Sequence, residues 1–133
     1  MREIKFRGKR LDNGDWTYGW LVIEQNGTAW ISKYFHKGEW EQVDPETVGQ
    51  FTGLKDKNSV EIYEGDILHI EIHNWSRKND VIASENECVE FRDGKFGFLW
   101  GYRREFKTVS CFCETTFEVI GNVHENSKLL VEK

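Results

Sequence analysis

The chain has 133 residues and a mass of 15.7 kDa, which suits one ordinary domain with its own hydrophobic core. Its 18 basic and 23 acidic residues give a net charge of −5, which excludes a uniformly basic nucleic-acid-binding surface but not a local basic patch. No apolar run approaches the ~18 residues of a membrane span, and no signal-like apolar block follows Met1. Three cysteines are too few for a disulfide framework. We therefore expect a cytoplasmic protein that does not bind membranes.

Apolar and polar residues alternate in the first third of the chain, in residues 2–7, 16–23 and 28–35. This period of two is that of a β-strand with one buried face. Asn13-Gly14 and Asn26-Gly27 separate the three runs, and Asn-Gly favours tight hairpins in which both turn residues have positive φ. The sequence therefore predicts a meander of three strands.

Basic residues cluster at the start of the chain: Arg2, Lys5, Arg7, Lys9 and Arg10. If Ile4 and Phe6 face the core, the alternation turns Lys5, Arg7 and Lys9 toward solvent. There they either discourage edge-to-edge pairing of strands or contact phosphates. We favour the first interpretation because the net charge of the chain is negative.

The central part of the chain begins with a helical signal and continues with strands. Asp44-Pro45-Glu46 is typical of the start of a helical turn, because Asp caps free amides and Pro is tolerated at the first helical position. Gly49 follows too soon for more than a turn or so. Short strands are predicted at 50–52, 60–63 and 67–73.

The C-terminal half is predicted to consist of further short strands. Residues 74–87 have no firm signal except at 81–83, so they form either a long loop or a hidden strand. The remaining predicted elements are a hairpin of 88–91 and 96–102 around Asp93-Gly94, a polar connector at 103–107, strands at 108–113 and 117–123, and a helical turn at 126–131. The sequence thus predicts a mainly β fold, residues 1–133 forming a single domain. Its short antiparallel strands would form a partly open barrel or two packed sheets, with one or two short helical turns.

Four segments together resemble the YopX family of phage and prophage proteins. They are Met1–Arg7 (MREIKFR), Val43–Asn58 (VDPETVGQFTGLKDKN), Glu61–Ile67 (EIYEGDI) and Phe117–Asn126 (FEVIGNVHEN). The resemblance implies a prophage-type, mainly β protein. It brings no catalytic residues with it.

The strongest physical signal is a row of four aromatic residues that share one face of a predicted strand: Phe96, Phe98, Trp100 and Tyr102. In one interpretation the rings belong to the core or to a subunit interface, and Gly97 and Gly101 on the other face let a ring or backbone approach closely. In the other, the rings form a platform on which single-stranded nucleic acid stacks, and the basic residues that contact phosphates are Arg92, Lys95, Arg103 and Arg104. We favour the first, and the same choice applies to Trp16, Tyr18 and Trp20. These residues, Phe96 to Arg104, are the candidate binding or interface site.

Signals for metal binding or catalysis are weak. His69, Glu71 and His73 share a strand face, but positions i and i+4 lie about 13 Å apart, too far to converge easily on one ion. Cys111 and Cys113 lack the CxxC spacing of a zinc site and, with Cys88, are better explained as small buried residues. We interpret Asp44, Asp56 and Asp66 as capping and turn residues that accept backbone hydrogen bonds. We therefore predict no catalytic residue, metal or cofactor.

Three functions remain, in order of preference. The first is a non-enzymatic binding or assembly module that forms a homo-oligomer or binds another protein. The second is a single-stranded nucleic-acid-binding protein, and the third is a small metal-dependent hydrolase.

Overall fold

A computed structural model describes residues 3–34, 38–108 and 114–130. Contacts between residues group the chain into two compact units, residues 1–53 and 54–133. The prediction of a single domain stays a prediction.

The first unit is an antiparallel sheet with one apolar face. Its strands lie in the order β4-β3-β2-β1-β5. The buried side chains Ala29, Ile31 and Val43 form its core, against which Phe6, Leu21 and Val48 pack. The elements are β1 (Phe6–Lys9), β2 (Trp16–Ile23), β3 (Ala29–Ser32), β4 (Glu41–Val43), a 3-10 turn (Pro45–Thr47) and β5 (Gly49–Lys55), which runs on into the second unit.

The Asp44 prediction is confirmed in this unit. The Asp44 carboxylate accepts a hydrogen bond from the Glu46 amide at 3.0 Å, and Pro45 begins the 3-10 turn. The turn ends within three residues because Val48 returns to an extended conformation.

The two Asn-Gly turns form by a different mechanism from the one predicted. Gly14 and Gly27 have positive φ, whereas Asn13 and Asn26 are not among the positive-φ residues of the described chain. Instead, the Asn13 and Asn26 side chains each accept a hydrogen bond from the amide two residues ahead, at 2.9 and 3.0 Å. These are Asx turns, in which the side chain mimics a backbone carbonyl.

Arg7 does not face solvent, and this part of the prediction is wrong. The residue is 6% exposed, and its guanidinium carbon lies 4.7 Å from the centroid of the Trp16 ring. Trp16 covers the cation with its π-face, an arrangement that period-two alternation alone does not reveal.

The second unit contains two three-stranded antiparallel sheets, in the orders β12-β7-β8 and β11-β10-β9. Its core consists of the buried side chains Ile62, Leu68, Ile70, Val89 and Phe98. The elements are β6 (Glu61–Tyr63), β7 (Asp66–His73), β8 (Val81–Cys88), β9 (Glu90–Arg92), β10 (Lys95–Trp100), β11 (Glu105–Thr108), β12 (Thr115–Asn122) and a 3-10 turn (Ser127–Leu130).

Several element boundaries in the second unit differ from the predictions. The segment with little signal contains the first seven of the eight residues of strand β8. β10 ends at Trp100 rather than at Tyr102, and β11 occupies most of the predicted polar connector. β11 was missed because its alternation extends over only four residues, while its pairing with β10 supplies the stability. Of the strand predicted at 108–113, residues 109–113 lie outside the described residues.

The predicted fold class is confirmed. The described chain is mainly β, all its strand pairs are antiparallel, and its helical structure is limited to two 3-10 turns. None of the sheets in the described ranges closes into a barrel. No helix in these ranges has the length and hydropathy needed to cross a membrane.

Candidate functional site

Three of the four predicted aromatic rings lie in the core of the second unit. Phe98 is only 3% exposed, and Phe96 and Trp100 pack against the same buried cluster. The Phe98 ring meets Phe117 of the other sheet edge-on, with centroids 5.9 Å apart. β10 therefore joins the two sheets of this unit, and its rings do not form an open stacking platform.

The opposite face of β10 lets a ring approach closely, as predicted. A Cβ atom on Gly97 would lie 2.7 Å from Cζ of Phe106 and 2.2 Å from the Lys107 carbonyl oxygen. The Phe106 ring can cross β10 at this point because Gly97 has no side chain. The Arg92 guanidinium then covers the Phe106 ring, 5.5 Å from its centroid.

The end of the predicted row separates from the rest. The chain turns at Gly101, whose φ is +82°, so Tyr102 leaves the strand and is fully exposed. Arg104 also turns back, at φ +55°, and its guanidinium donates two hydrogen bonds to the Glu87 carboxylate, at 2.7 and 2.9 Å. Its hydrogen bonds to Glu87 raise the pKa of Arg104 above its usual value. Tyr102 and Arg103 project into solvent, whereas Arg104 fastens the turn to β8 through Glu87.

A different strand carries a row of exposed apolar side chains. Tyr18, Trp20 and Val22 alternate along β2 and are 44%, 48% and 43% exposed, while Leu21 between them packs on the core of the first unit. We call these three residues the β2 face. The sequence raised the question of whether these rings are core or surface, and the structure places Tyr18 and Trp20 on the surface of their unit.

A groove of about 510 Å³ adjoins the β2 face in the same unit. The Glu41 carboxylate on its wall accepts a hydrogen bond from the Thr17 hydroxyl at 2.6 Å. It also forms an ion pair with Arg10, at 2.9 Å. The lining residues are Trp16, Thr17, Tyr18, Ser32, Lys33, Tyr34, Gly38, Glu39 and Glu41. Sequence reasoning missed this groove because β2 and the chain around β3 and β4 meet only through strand pairing.

His69, Glu71 and His73 form an internally bonded polar face on β7. Glu71 oxygens lie 3.0 Å from Nε2 of His69 and 3.5 Å from Nε2 of His73. The Nδ1 atoms lie 2.7 Å from the Asn86 side-chain oxygen and 2.8 Å from the Lys78 carbonyl. Over the part of the chain that the structure describes, no group of three or more His, Cys, Asp or Glu side chains is arranged to hold a metal ion. Cys111 and Cys113 lie outside that part.

The aspartates and asparagines of the family-like segments bind backbone amides. Asp56 accepts hydrogen bonds from Asn58, Val60 and Val119, at 2.8 to 2.9 Å. Asp66, which is fully buried, accepts one from the Tyr63 amide at 2.7 Å. The Asn122 side chain similarly accepts hydrogen bonds from the two amides that follow Val123. These residues hold turns and strand ends together, as the turn interpretation of Asp56 and Asp66 predicts.

The fold and these contacts define an all-β protein whose motif residues maintain its structure and whose β2 face is about half exposed. Residues 5–131 match the sequence model of the family described as YopX protein. The chain belongs to the YopX family, as the resemblance of the four segments indicated.

Two solved structures show the same fold. The protein yopX from Bacillus subtilis is 20% identical, with a TM-score of 0.63, and the alignment covers 99% of this chain and 100% of that one. Protein EF1440 from Enterococcus faecalis is 24% identical, with a TM-score of 0.59, covering 98% of this chain and 100% of that one. No curated protein sequence matches this chain.

Proposed function

We propose that this YopX-family protein is a non-enzymatic assembly module whose chains associate with one another through the β2 face. The observation that carries the proposal is the exposure of Tyr18, Trp20 and Val22 on one face of a strand whose other face packs on the core through Leu21. Burying each of these side chains would contribute about 1–2 kcal/mol to association, after allowance for the half already covered. Grouped apolar side chains of this size on a sheet typically mark an interaction surface.

A second copy of the chain suits this surface. Interfaces between identical chains are commonly two-fold and need a self-complementary patch. Lys33 and Glu39 lie beside the β2 face in the same groove, so the basic side of one chain can face the acidic side of the other. A stable interface needs roughly 800 Å² per partner, and the groove and the exposed Tyr34 ring extend the β2 face toward that area.

A binding role is also supported by the hydrogen bonds that the acidic motif residues accept. Asp56 and Asp66 accept backbone hydrogen bonds, so their carboxylates serve turns rather than acid–base chemistry. A prophage-type origin and a cytoplasmic location belong to the same proposal, on the strength of the family resemblance and the composition.

Light scattering after size-exclusion chromatography tests the proposal. The wild-type chain at tens of micromolar should have the mass of a fixed oligomer in both low and high salt, because the contact is mainly apolar. The double variant Tyr18→Ser, Trp20→Ser should have the mass of the monomer. Tyr102→Ser, which removes an exposed ring in the other unit, is the matched control and should leave the oligomer intact. A monomeric wild-type chain at micromolar concentration would contradict the proposal.

A further inference from the structure

Two hairpin tips in the second unit carry exposed rings beside basic residues. Trp75 lies in the β7–β8 tip, residues 74–80, and is 81% exposed; Tyr102 lies in the β10–β11 tip, residues 101–104, and is 100% exposed. These are the two most exposed large hydrophobic side chains in the described residues. Arg77 and Lys78 accompany Trp75, and Arg103 follows Tyr102; all three basic residues are exposed.

The backbone of the first tip is held in place by hydrogen bonds. The Asn74 side chain accepts hydrogen bonds from the amides of Ser76 and Arg77, at 2.9 and 3.2 Å. The Asn74 amide in turn donates to the Asp80 carbonyl at 2.8 Å. The tip therefore presents Trp75 without a further loss of backbone entropy on binding, which favours affinity.

The second tip is fixed against strand β8. The Gly101 amide donates to the Glu85 carboxylate at 2.9 Å, and Arg104 is bound to Glu87. The first tip leads directly into β8 at Val81. At about 3.3 Å per residue, the attachment points lie roughly 13–20 Å apart along β8. This distance corresponds to about four to six stacked nucleotides at 3.4 Å each.

We infer that the two tips bind single-stranded nucleic acid, with Trp75 and Tyr102 stacking on bases and Arg77, Lys78 and Arg103 contacting phosphates. A ring followed by a cation matches the alternation of bases and phosphates along a strand. The site shares no residue with the β2 face. Nucleic-acid binding can therefore be tested independently of self-association.

Fluorescence anisotropy with a labelled 15-nucleotide oligothymidine in low salt tests this inference. We expect micromolar binding by the full chain, and weaker binding by about tenfold for each of Trp75→Ala and Tyr102→Ala. Arg103→Ala should lower the slope of log K against log salt by about 0.7, the value for one phosphate contact. Leu11→Ala, which removes an exposed apolar side chain of the first unit outside the β2 face, is the control and should leave the affinity unchanged.

Several outcomes would overturn the inference. These are no binding in low salt, binding that Trp75→Ala and Tyr102→Ala do not weaken, and equal loss of binding with Leu11→Ala. Sedimentation with phosphatidylserine vesicles in the absence of oligothymidine binding would assign the tips to a lipid surface instead. Because both rings are exposed, circular dichroism and thermal unfolding of the two variants should match those of the wild type.

Discussion

The carboxylate of Asp56 connects two distant parts of the second unit, so its replacement offers a sharp test of the structure. One oxygen accepts hydrogen bonds from the amides of Asn58 and Val60, which lie in the same turn. The other oxygen accepts a hydrogen bond from the amide of Val119 in β12, 63 residues away. The residue is 8% exposed, so water cannot readily take over these bonds. Asp56→Ala removes all three acceptors, whereas Asp56→Asn keeps one oxygen and turns an amide donor toward another donor.

We expect Asp56→Ala to lower the free energy of unfolding by about 3–5 kcal/mol, since a hydrogen bond to a charged group contributes about 1.5–3 kcal/mol and the three are not additive. For Asp56→Asn we expect a loss of about 2 kcal/mol, equivalent to one such bond. Urea unfolding followed by tryptophan fluorescence measures both values. Asp93→Asn is the control and should be neutral, because Asp93 occupies an exposed turn at φ 51°, a conformation that Asn tolerates. If Asp56→Asn is as stable as the wild type, the bond to β12 does not hold the two segments together.

Three further changes probe other contacts. Gly97→Ala should lower the free energy of unfolding by about 1–3 kcal/mol because the new methyl group meets the Lys107 carbonyl oxygen and the Phe106 ring; unchanged stability in urea would refute this packing. Arg104→Gln should cost about 2 kcal/mol in the same assay, since the buried Glu87 loses its two-point partner, and a stabilised variant would contradict the contact. Burial raises the pKa of the Cys88 thiol from 9.0 to about 11, so alkylation at pH 8 should be much slower than in urea, in a variant with the other cysteines replaced by serine. Because the unfolded thiol ionises first, this contribution to stability is present below pH 9 and is lost as the pH rises toward 11; unchanged stability over that range would contradict it.

Local patterns predicted the strands whose alternation is strong. The run from Trp16 to Ile23 is strand β2, and Asp93-Gly94 forms the predicted tight turn with positive φ at both residues. Both signals depend on neighbouring residues alone, the alternation on the two faces of a strand and the turn on glycine and aspartate conformations.

Elements that depend on pairing were poorly predicted. The first four residues of β8 are exposed, so no alternation of polarity reveals the strand, and its pairing with β7 supplies its hydrogen bonds. β11 has only four residues, of which Glu105 and Lys107 are charged and exposed, and it forms along β10. The candidate site shifted for a related reason, because the turn at Gly101 separates Tyr102 from the rings that precede it.

Two strands with similar ring-rich faces differ in how deeply their rings are buried, and local sequence does not determine this difference. β2 and β10 both alternate large rings with smaller residues, and such alternation predicted a mainly β protein, while the four motif segments indicated the YopX family. Yet the Phe98 ring is buried while Trp20 remains half exposed. The difference lies in what packs on each face: the apolar side chains of β7 and β12 cover the rings of β10, whereas the core of the first unit lies on the other side of β2. Period-two alternation defines the two faces of a strand, but only contacts between distant segments determine which of them is removed from water.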